Sequence, residues 1–145
     1  MVTMLLADVN IYIYAFRPES PQHNEMRDWL QRLLEGDETY GVAEVVLSAF
    51  LRIVTNPKAF LYPDSIQNAV AFANEVRNQP NSLIIAPGPR HWDIFTELCE
   101  QVGARGNLIP DAYFAALAIE SGSEWVSMDR DFSKFPGLRW RHPLE

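Results

Sequence analysis

The sequence predicts an α/β protein with a largely parallel β-sheet. Short apolar runs have the length of buried strands, and the longer segments between them repeat apolar residues at helical spacing. The candidate strands are Met4–Ala7, Thr39–Val42, Leu83–Ala86, Trp125–Met128 and Leu138–Trp140. The chain has 145 residues, of which 48% are hydrophobic, and no Gly/Ser-rich linker divides it. We therefore expect one packed domain spanning residues 1–145.

The segments between the strands carry typical signals of helix ends. The predicted helices are Asn24–Glu35, Ala43–Val54, Asp64–Asn78, Arg90–Val102 and Pro110–Glu120. Asp64 is a predicted N-cap, and Pro110 is predicted at the first helical position, where a missing N–H costs nothing. The Ala43–Val54 helix is apolar in nearly every direction, which predicts that the core or another chain covers it.

The charge balance argues against an ordinary polyanion-binding protein. The chain has 19 acidic and 12 basic residues and a formal net charge of -7. Cys99 is the only cysteine, which excludes an internal disulfide framework and fits the reducing cytoplasm. The apolar stretch Met4–Phe16 is interrupted by Asp8 and Asn10 and has no basic leader, so we expect neither a signal peptide nor a membrane span.

Four carboxylates occupy positions that differ from the solvated faces of helices. Asp8 and Asp129 directly follow apolar runs, so both should project from the carboxyl ends of strands, where open parallel sheets bind ligands. Glu44 lies at the start of the apolar helix, and Asp111 lies in the first turn of the helix that Pro110 opens. Residues in those turns can face the same crevice, so all four are candidate site residues.

Each of these carboxylates also has a purely structural interpretation. Asp8 or Asp129 can cap a following helix, and an acid in a first turn, such as Glu44 or Asp111, interacts favourably with the helix dipole. Gathered without matching cations, however, four carboxylates repel one another, and a hard divalent cation such as Mg²⁺ or Mn²⁺ removes that cost. Ions held in this way can activate a water and orient a phosphodiester.

Other kinds of site find little support in the sequence. The three histidines, His23, His91 and His142, lack the spacing of zinc ligands. The Gly-Ala-Arg-Gly segment at 103–106 lacks the Lys-Ser/Thr of a phosphate-binding P-loop. Cys99 lies within a helical segment, which favours a buried and inert thiol.

Four short motifs follow one another along the chain. They are Asp8-Val-Asn10 after the first strand, Glu44 at the start of an apolar helix, the 107–118 segment with its Pro-Asp pair, and the Ser127–Phe132 ending. Their order and spacing resemble the PIN-domain family, and more narrowly the VapC-type toxins of bacterial type II toxin–antitoxin modules. The segments 52–57 and 135–143 are also similar to one subgroup of these toxins.

The resemblance implies a three-layer α/β/α PIN-like fold with a central, mainly parallel sheet of about five strands. It also implies an endoribonuclease that depends on Mg²⁺ or Mn²⁺. The acidic set of the family falls on Asp8, Glu44, Asp111 and Asp129. We expect Asp8, Asp111 and Asp129 to hold the metal and Glu44 to position or deprotonate the attacking water.

Three further polar residues match positions beside the family's metal site, namely Asn10, Ser127 and Asp131. Each has a structural alternative, since Asn10 can serve a helix start, Ser127 a strand end and Asp131 a cap. For the partners, the resemblance implies an RNA substrate, cut to leave a 5′-phosphate and a 3′-hydroxyl, and a homodimer. It also implies a cognate antitoxin, with a basic residue that enters the acidic site.

Two other functions remain open at the level of the sequence. A phosphohydrolase could use Asp8 as a covalent nucleophile, although the only two lysines, Lys58 and Lys134, are not in obvious positions to balance a phosphate. A non-catalytic module could keep the fold for binding alone, although binding does not require the acidic set.

The proposed site also changes what the overall charge implies. Taking four site carboxylates from the net charge of -7 leaves -3 on the rest of the chain, and a bound cation reverses the local repulsion. Weak, salt-sensitive and metal-dependent capture of RNA is therefore expected. The arginines available for phosphate contacts are Arg17, Arg52, Arg90, Arg105, Arg130, Arg139 and Arg141.

Overall fold

A five-stranded parallel sheet forms the centre of the computed structural model, which describes residues 3–145. The strands are β1 (Leu5–Ala7), β2 (Tyr40–Ala43), β3 (Ser82–Ile85), β4 (Glu124–Val126) and β5 (Trp140–Arg141), in the spatial order β3-β2-β1-β4-β5. In the register, Leu6 of the central strand lies opposite Gly41 on one side and Trp125 on the other. The predicted class, α/β with a largely parallel sheet, is confirmed.

Helices connect the strands and cover both faces of the sheet. They are α1 (Val9–Phe16), α2 (His23–Glu35), α3 (Glu44–Val54), α4 (Ile66–Arg77), α5 (His91–Val102) and α6 (Leu108–Ser121), followed by a 3₁₀ turn at Arg130–Lys134. The chain moves outward from β1 to β3 and then returns to β4 on the other side of β1. Because parallel crossovers are right-handed, this reversal places α1–α4 on one face and α5–α6 on the other. The three-layer α/β/α arrangement that the resemblance implies is confirmed.

Aromatic clusters fill the core on each side of the sheet. The rings of Phe16, Phe50 and Phe72 join α1, α3 and α4, with centroids 4.8–5.3 Å apart. On the other side, the fully buried Trp125 stacks on Phe114 of α6 at 5.6 Å. These aromatic contacts pack the helices against the two faces of the sheet.

Gly41 in β2 lies where the sheet has no room for a side chain. A Cβ at this position would lie 2.9 Å from Cγ1 of Ile85 and 3.2 Å from Cδ1 of Leu6. The absence of a side chain therefore allows β2 to pack tightly between β1 and β3.

Asp64 does not cap α4, which corrects the prediction for that helix. Ser65 is the N-cap and accepts from the amide of Asn68 at 3.1 Å. The Asp64 carboxylate instead accepts from Nη1 of Arg17 at 2.6 Å. Arg17 is only 7% exposed and lies over the ring of Phe60 at 3.7 Å. The Asp64 carboxylate therefore balances the charge of a buried guanidinium instead of capping α4. The same contacts withdraw Arg17 from the arginines available to RNA.

Two other predicted helices differ in detail. The α6 helix begins at Leu108, so Pro110 is its third residue rather than its first, which is tolerated because amides of the first turn have no partner within the helix. The α3 helix buries Val46 and Phe50 but leaves Val45 41% exposed, so the core does not surround it. Within residues 3–145, no helix has both the length and the apolar character needed to cross a membrane.

Candidate functional site

Asp8 lies at the carboxyl end of β1, beside the point where the strand order reverses. Its amide donates to the carbonyl of Val126 at 2.8 Å and so continues the pairing of β1 with β4. The chain then turns into α1, and Oδ1 of Asp8 caps that helix by accepting from the amide of Val9 at 2.7 Å. The residue is only 5% exposed. A buried carboxylate at a topological switch point is a favourable start for a ligand site.

The hydroxyl of Ser127 connects Asp8 to the end of β4. It donates to Oδ2 of Asp8 at 2.7 Å and accepts from the amide of Asp129 at 3.0 Å. Ser127 is fully buried, and its carbonyl accepts from Nε1 of Trp140 in β5 at 3.0 Å. The sequence assigned no role to Trp140, because only the pairing of β4 with β5 brings its indole to this carbonyl.

Asn10 closes the same network from the first turn of α1. Its Nδ2 donates to Oγ of Ser127 at 3.1 Å, and its Oδ1 accepts from the amide of Met128 at 3.3 Å. A longer contact of 3.4 Å joins Nδ2 to Oδ2 of Asp8. Asn10 and Ser127 thus fix the orientation of the Asp8 carboxylate across the junction of β1 and β4.

Asp129 and Asp131 stand on the exposed side of this edge. Oδ1 of Asp129 accepts from the amide of Asp131 at 2.9 Å, so Asp129 caps the 3₁₀ turn that follows β4. Asp131 forms an exposed ion pair with Lys134 at 3.5 Å. The capping interpretation and the site interpretation of Asp129 are therefore compatible, since its other oxygen is not used by the cap.

Asp111 approaches the same edge from the first turn of α6. Burial, followed by the nearby charges of Asp129 and Asp131, raises the pKa of its carboxyl from 3.8 to about 6. The pKa of Asp8 is likewise raised from 3.8 to about 6, chiefly by burial, even though hydrogen bonds from Ser127 and Val9 act to lower it. Charges on Asp111 and Asp129 add to the rise at Asp8. The structure therefore brings Asp8, Asp111 and Asp129 within electrostatic reach of one another.

These three aspartates carry no balancing cation within residues 3–145. The ion pairs of that range involve other carboxylates, so no Lys or Arg is paired with Asp8, Asp111 or Asp129. Asp129 raises the pKa of both other aspartates, and three unpaired carboxylates gathered in this way have the donor chemistry of a hard divalent ion. Their side chains do not form a closed ligand set, however, since no group of three such residues in the described range is positioned to coordinate an ion.

Glu44 occupies a different position from the other candidate residues. It begins α3, and its Oε2 accepts from Nε of Arg77 in α4 at 2.9 Å. The structure thus assembles the three aspartates and directs Glu44 toward α4. No signal in the sequence points to Arg77, which has the pattern of an ordinary cation in the last turn of a helix.

The arginines expected to contact phosphate are mostly engaged. Arg130 is paired with Glu145, and Arg141 donates to Glu124 at 2.7 Å. Arg90 and Arg139 donate to backbone carbonyls of α6 and its C-cap. Among the expected set, Arg52 and Arg105 form no ion pair within the described residues. Arg105 precedes α6, the helix that carries Asp111.

A sheet of this topology with an acidic carboxyl edge is the arrangement of a PIN domain, and the sequence profile of that domain matches residues 5–138. The chain belongs to the PIN-domain family. It is 42% identical over 142 residues to Ribonuclease VapC43 of Mycobacterium tuberculosis, and the alignment covers 98% of this chain and 97% of the relative. It is also 41% identical over 140 residues to Ribonuclease VapC25 of the same organism, covering 97% and 99%. The identification made from the motifs is confirmed.

Solved structures share the fold at lower sequence identity. The crystal structure of VapBC2 from Rickettsia felis, bound to a promoter DNA fragment, contains a chain with a TM-score of 0.67 and 20% identity, covering 95% of this chain and 97% of that one. The toxin VapC20 of Mycobacterium tuberculosis, which cleaves the sarcin–ricin loop, matches with a TM-score of 0.61 and 15% identity over 93% and 98%. These likenesses establish the architecture.

Proposed function

We propose that this chain is a divalent-metal-dependent endoribonuclease and the toxin of a toxin–antitoxin module. The observation that carries the proposal is the set of three aspartates, Asp8, Asp111 and Asp129, at the switch point of the sheet, with which no Lys or Arg of residues 3–145 is paired. The ribonuclease names of the relatives support RNA as the substrate. The architecture shared with VapBC complexes supports a protein antitoxin as partner.

In this proposal Asp8, Asp111 and Asp129 hold Mg²⁺ or Mn²⁺. The burial and mutual repulsion that raise the pKa values of Asp8 and Asp111 favour a divalent cation over solvent at this edge. When bound, the ion supplies positive charge that attracts the RNA phosphate and makes water a stronger nucleophile. Asn10 and Ser127 hold the Asp8 carboxylate in one orientation, and Asp131 adds negative charge beside Asp129.

The reaction that we propose is hydrolysis of an RNA phosphodiester. The water oxygen forms a bond to phosphorus, Glu44 accepts the water proton, and the bond from phosphorus to the 3′ oxygen breaks. The 3′ oxygen takes up a proton, so the products carry a 5′-phosphate and a 3′-hydroxyl. Of the two expected arginines without an ion pair within residues 3–145, Arg105 is the better placed to contact the substrate backbone, because it precedes α6, the helix that carries Asp111.

The alternative of a covalent phosphohydrolase is less well supported by the same contacts. Both oxygens of Asp8 accept hydrogen bonds, one from Val9 and one from Ser127, and the residue is only 5% exposed. Each oxygen keeps a lone pair that a small cation can reach, whereas in-line attack on a phosphorylated substrate needs more of the carboxylate to be exposed. Lys134 is paired with Asp131, which leaves no evident lysine to balance a phosphoryl group on Asp8.

A second copy of the chain is the partner that we propose for an apolar groove beside the site. The groove is lined by Val45, Phe95, Ile109, Pro110, Tyr113 and Phe114. Trp92, which is 66% exposed, contacts the ring of Phe95 at its rim. An exposed apolar face of this kind favours association, and it supports the predicted homodimer. The antitoxin would then inhibit by placing a basic residue among the three aspartates.

The direct test is cleavage of RNA by Asp8→Asn with Mg²⁺ or Mn²⁺ present. Loss of a carboxylate that holds the ion should reduce cleavage by at least about a hundredfold. Asp37→Asn is a matched control, because Asp37 is exposed in the turn before β2. Unchanged cleavage by Asp8→Asn would overturn the proposal. Trapping of a phosphoryl adduct on Asp8 would favour the covalent alternative, and metal-independent RNA binding without cleavage would favour a binding module.

A further inference from the structure

The ion pair between Glu44 and Arg77 joins α3 to α4 at the edge of the candidate site. Nε of Arg77 donates to Oε2 of Glu44 at 2.9 Å, and Nη1 of Arg77 donates to Oδ1 of Asn78 at 3.0 Å. The pair lies at one end of a groove between the two helices, lined also by Leu47, Ala73 and Asn74. Since the residues are 33 positions apart in the chain, the contact depends on the packing of α3 against α4.

This contact separates Glu44 from the other acidic side chains. Hydrogen bonds through Ser127 join Asp8 to Asp129, whereas the hydrogen bond of the Glu44 carboxylate goes to Arg77 of α4. Yet Glu44 directly follows β2, the strand next to β1, and so begins at the same edge of the sheet as Asp8. Its separation from the aspartates is therefore a matter of where its side chain points.

The pair is also easy to break. The side chains of Arg77 and Glu44 are 39% and 60% exposed, so water screens their attraction and competes for both partners. An exposed ion pair of this kind favours one arrangement only slightly over the free side chains. Glu44 can therefore exchange between a paired and a free position without any change in the fold.

We propose that Arg77 is a positioning residue that restrains Glu44 away from the three aspartates until a cation occupies the site. Arg77 then sets the fraction of molecules in which the Glu44 carboxylate is free to join the acidic set. The inference rests on the proposed function, because it assumes that Asp8, Asp111 and Asp129 hold a divalent ion.

The size of the effect follows from the weakness of the pair. An exposed ion pair leaves roughly 15–40% of the molecules with Glu44 free, so removing the restraint should tighten divalent-ion binding by about two- to sixfold. Arg77→Met removes the charge and the donors while keeping the length of the side chain. Arg77→Lys keeps a cation that can still pair with Glu44, and it should restore the affinity of the unmodified chain.

The experiment is a double-mutant cycle read by calorimetric titration of Mn²⁺ into the full chain without RNA. The variants are Arg77→Met, Glu44→Gln and the two combined, since a residue that acts through Glu44 has no effect once that carboxylate is gone. Arg27→Met is the matched control. It removes the same charge from the exposed surface of α2, where Arg27 pairs only loosely with Asp28 at 3.8 Å.

Four results support the inference together. Arg77→Met binds Mn²⁺ about two- to sixfold more tightly, Arg77→Lys does not, Arg27→Met does not, and the gain disappears in the Glu44→Gln background. RNA cleavage gives a second measurement: Arg77→Met should be faster only at subsaturating Mn²⁺, with the rate at saturation unchanged. A purely structural role of Arg77 would not change the rate at subsaturating Mn²⁺ while leaving the rate at saturating Mn²⁺ unchanged.

Other results overturn it, and they separate it from the proposed function. Equal changes in Arg77→Met and Arg27→Met indicate a general effect of charge. If Arg77→Met still tightens Mn²⁺ binding in the Glu44→Gln background, or does not tighten it at all, Arg77 does not restrain Glu44. If Asp8→Asn abolishes Mn²⁺ binding while Arg77→Met changes nothing, only this inference fails. If Asp8→Asn binds Mn²⁺ normally, the proposed function itself fails.

Discussion

Replacing Asp111 by Asn should stabilise the metal-free protein while it impairs the proposed reaction. Asp111 suits this test because burial, followed by the charges of Asp129 and Asp131, raises its pKa, and no hydrogen bond within the described residues offsets the rise. A carboxylate in this position destabilises the fold whenever it is ionised and unpaired. Asn has nearly the same shape and cannot ionise, so it removes that cost.

The expected gain follows from the size of the shift. The pKa of Asp111 rises from 3.8 to about 6, and each unit corresponds to about 1.4 kcal/mol, which sets an upper bound of about 3 kcal/mol. Partial exposure of the carboxyl screens its interactions, and its favourable contact with the α6 dipole is worth about 0.3–1 kcal/mol. We therefore expect Asp111→Asn to gain about 1–2 kcal/mol at pH 7.5, or about 3–7 °C in melting temperature.

The sign of the pH dependence makes this prediction specific. Because the pKa of Asp111 is raised in the folded state, the stability linked to its protonated form is present below about pH 4 and is lost as the pH rises through about 6. The Asn variant does not titrate at this position. The difference between the two proteins should therefore be near zero at pH 4, grow between pH 4 and pH 7, and remain constant above that.

Urea denaturation at pH 4.5, 6 and 7.5 in EDTA measures this difference, and Asp37→Asn is the control at an exposed site. EDTA is needed because a bound divalent ion would favour the carboxylate and reverse the sign. A variant that is less stable than the unmodified chain at pH 7.5, or a gain that does not change with pH, would refute the argument that Asp111 is a strained carboxylate.

Three further predictions concern the metal, the buried arginine and the oligomer. Mg²⁺ at about 100 times its dissociation constant should stabilise the unmodified chain by about 2.7 kcal/mol in urea melts, and Asp8→Asn should gain far less; equal gains would exclude Asp8 as a ligand. Arg17→Met should cost about 3 kcal/mol by thermal denaturation, because it leaves the Asp64 carboxylate without its buried partner, and an unchanged melting temperature would contradict this. Trp92→Glu should convert a dimer to a monomer in light scattering, since it places a charge on the exposed apolar rim; a variant that stays dimeric would show that this face is not the interface.

Most of the fold could be predicted from local patterns in the chain. The alternation of apolar runs and helical segments places every strand and the helices α2 to α6 within a few residues of their observed positions. The prediction is wrong where a side chain that should act locally is instead bound by a residue far away in the chain. Asp64 has the character of an N-cap, but Arg17, 47 positions earlier, binds its carboxylate and leaves the cap to Ser65.

In the candidate site, too, local patterns identify some residues, whereas the contacts between distant segments could not be predicted. Asp8 and Asp129 could be selected because each follows an apolar run, and strand ends of a parallel sheet share one edge. Asn10 and Ser127 were matched only by family resemblance, and the hydrogen bonds that make them useful cross from α1 to the end of β4. The apolar pattern of Ala43–Val54 left open whether the core or another chain covers this helix, and its first turn exposes Val45 because the layers of the fold cover only part of its surface.

The sequence by itself determined which segments form strands and helices, and which carboxylates end strands or begin helices, because those properties depend on neighbours along the chain. Only the tertiary structure decided that β1 lies between β2 and β4, which puts Asp8 at the switch point and within reach of Asp111 and Asp129. It also decided that Glu44 turns to Arg77. Such contacts depend on how layers pack, and the periodicity of one segment does not encode the position of another.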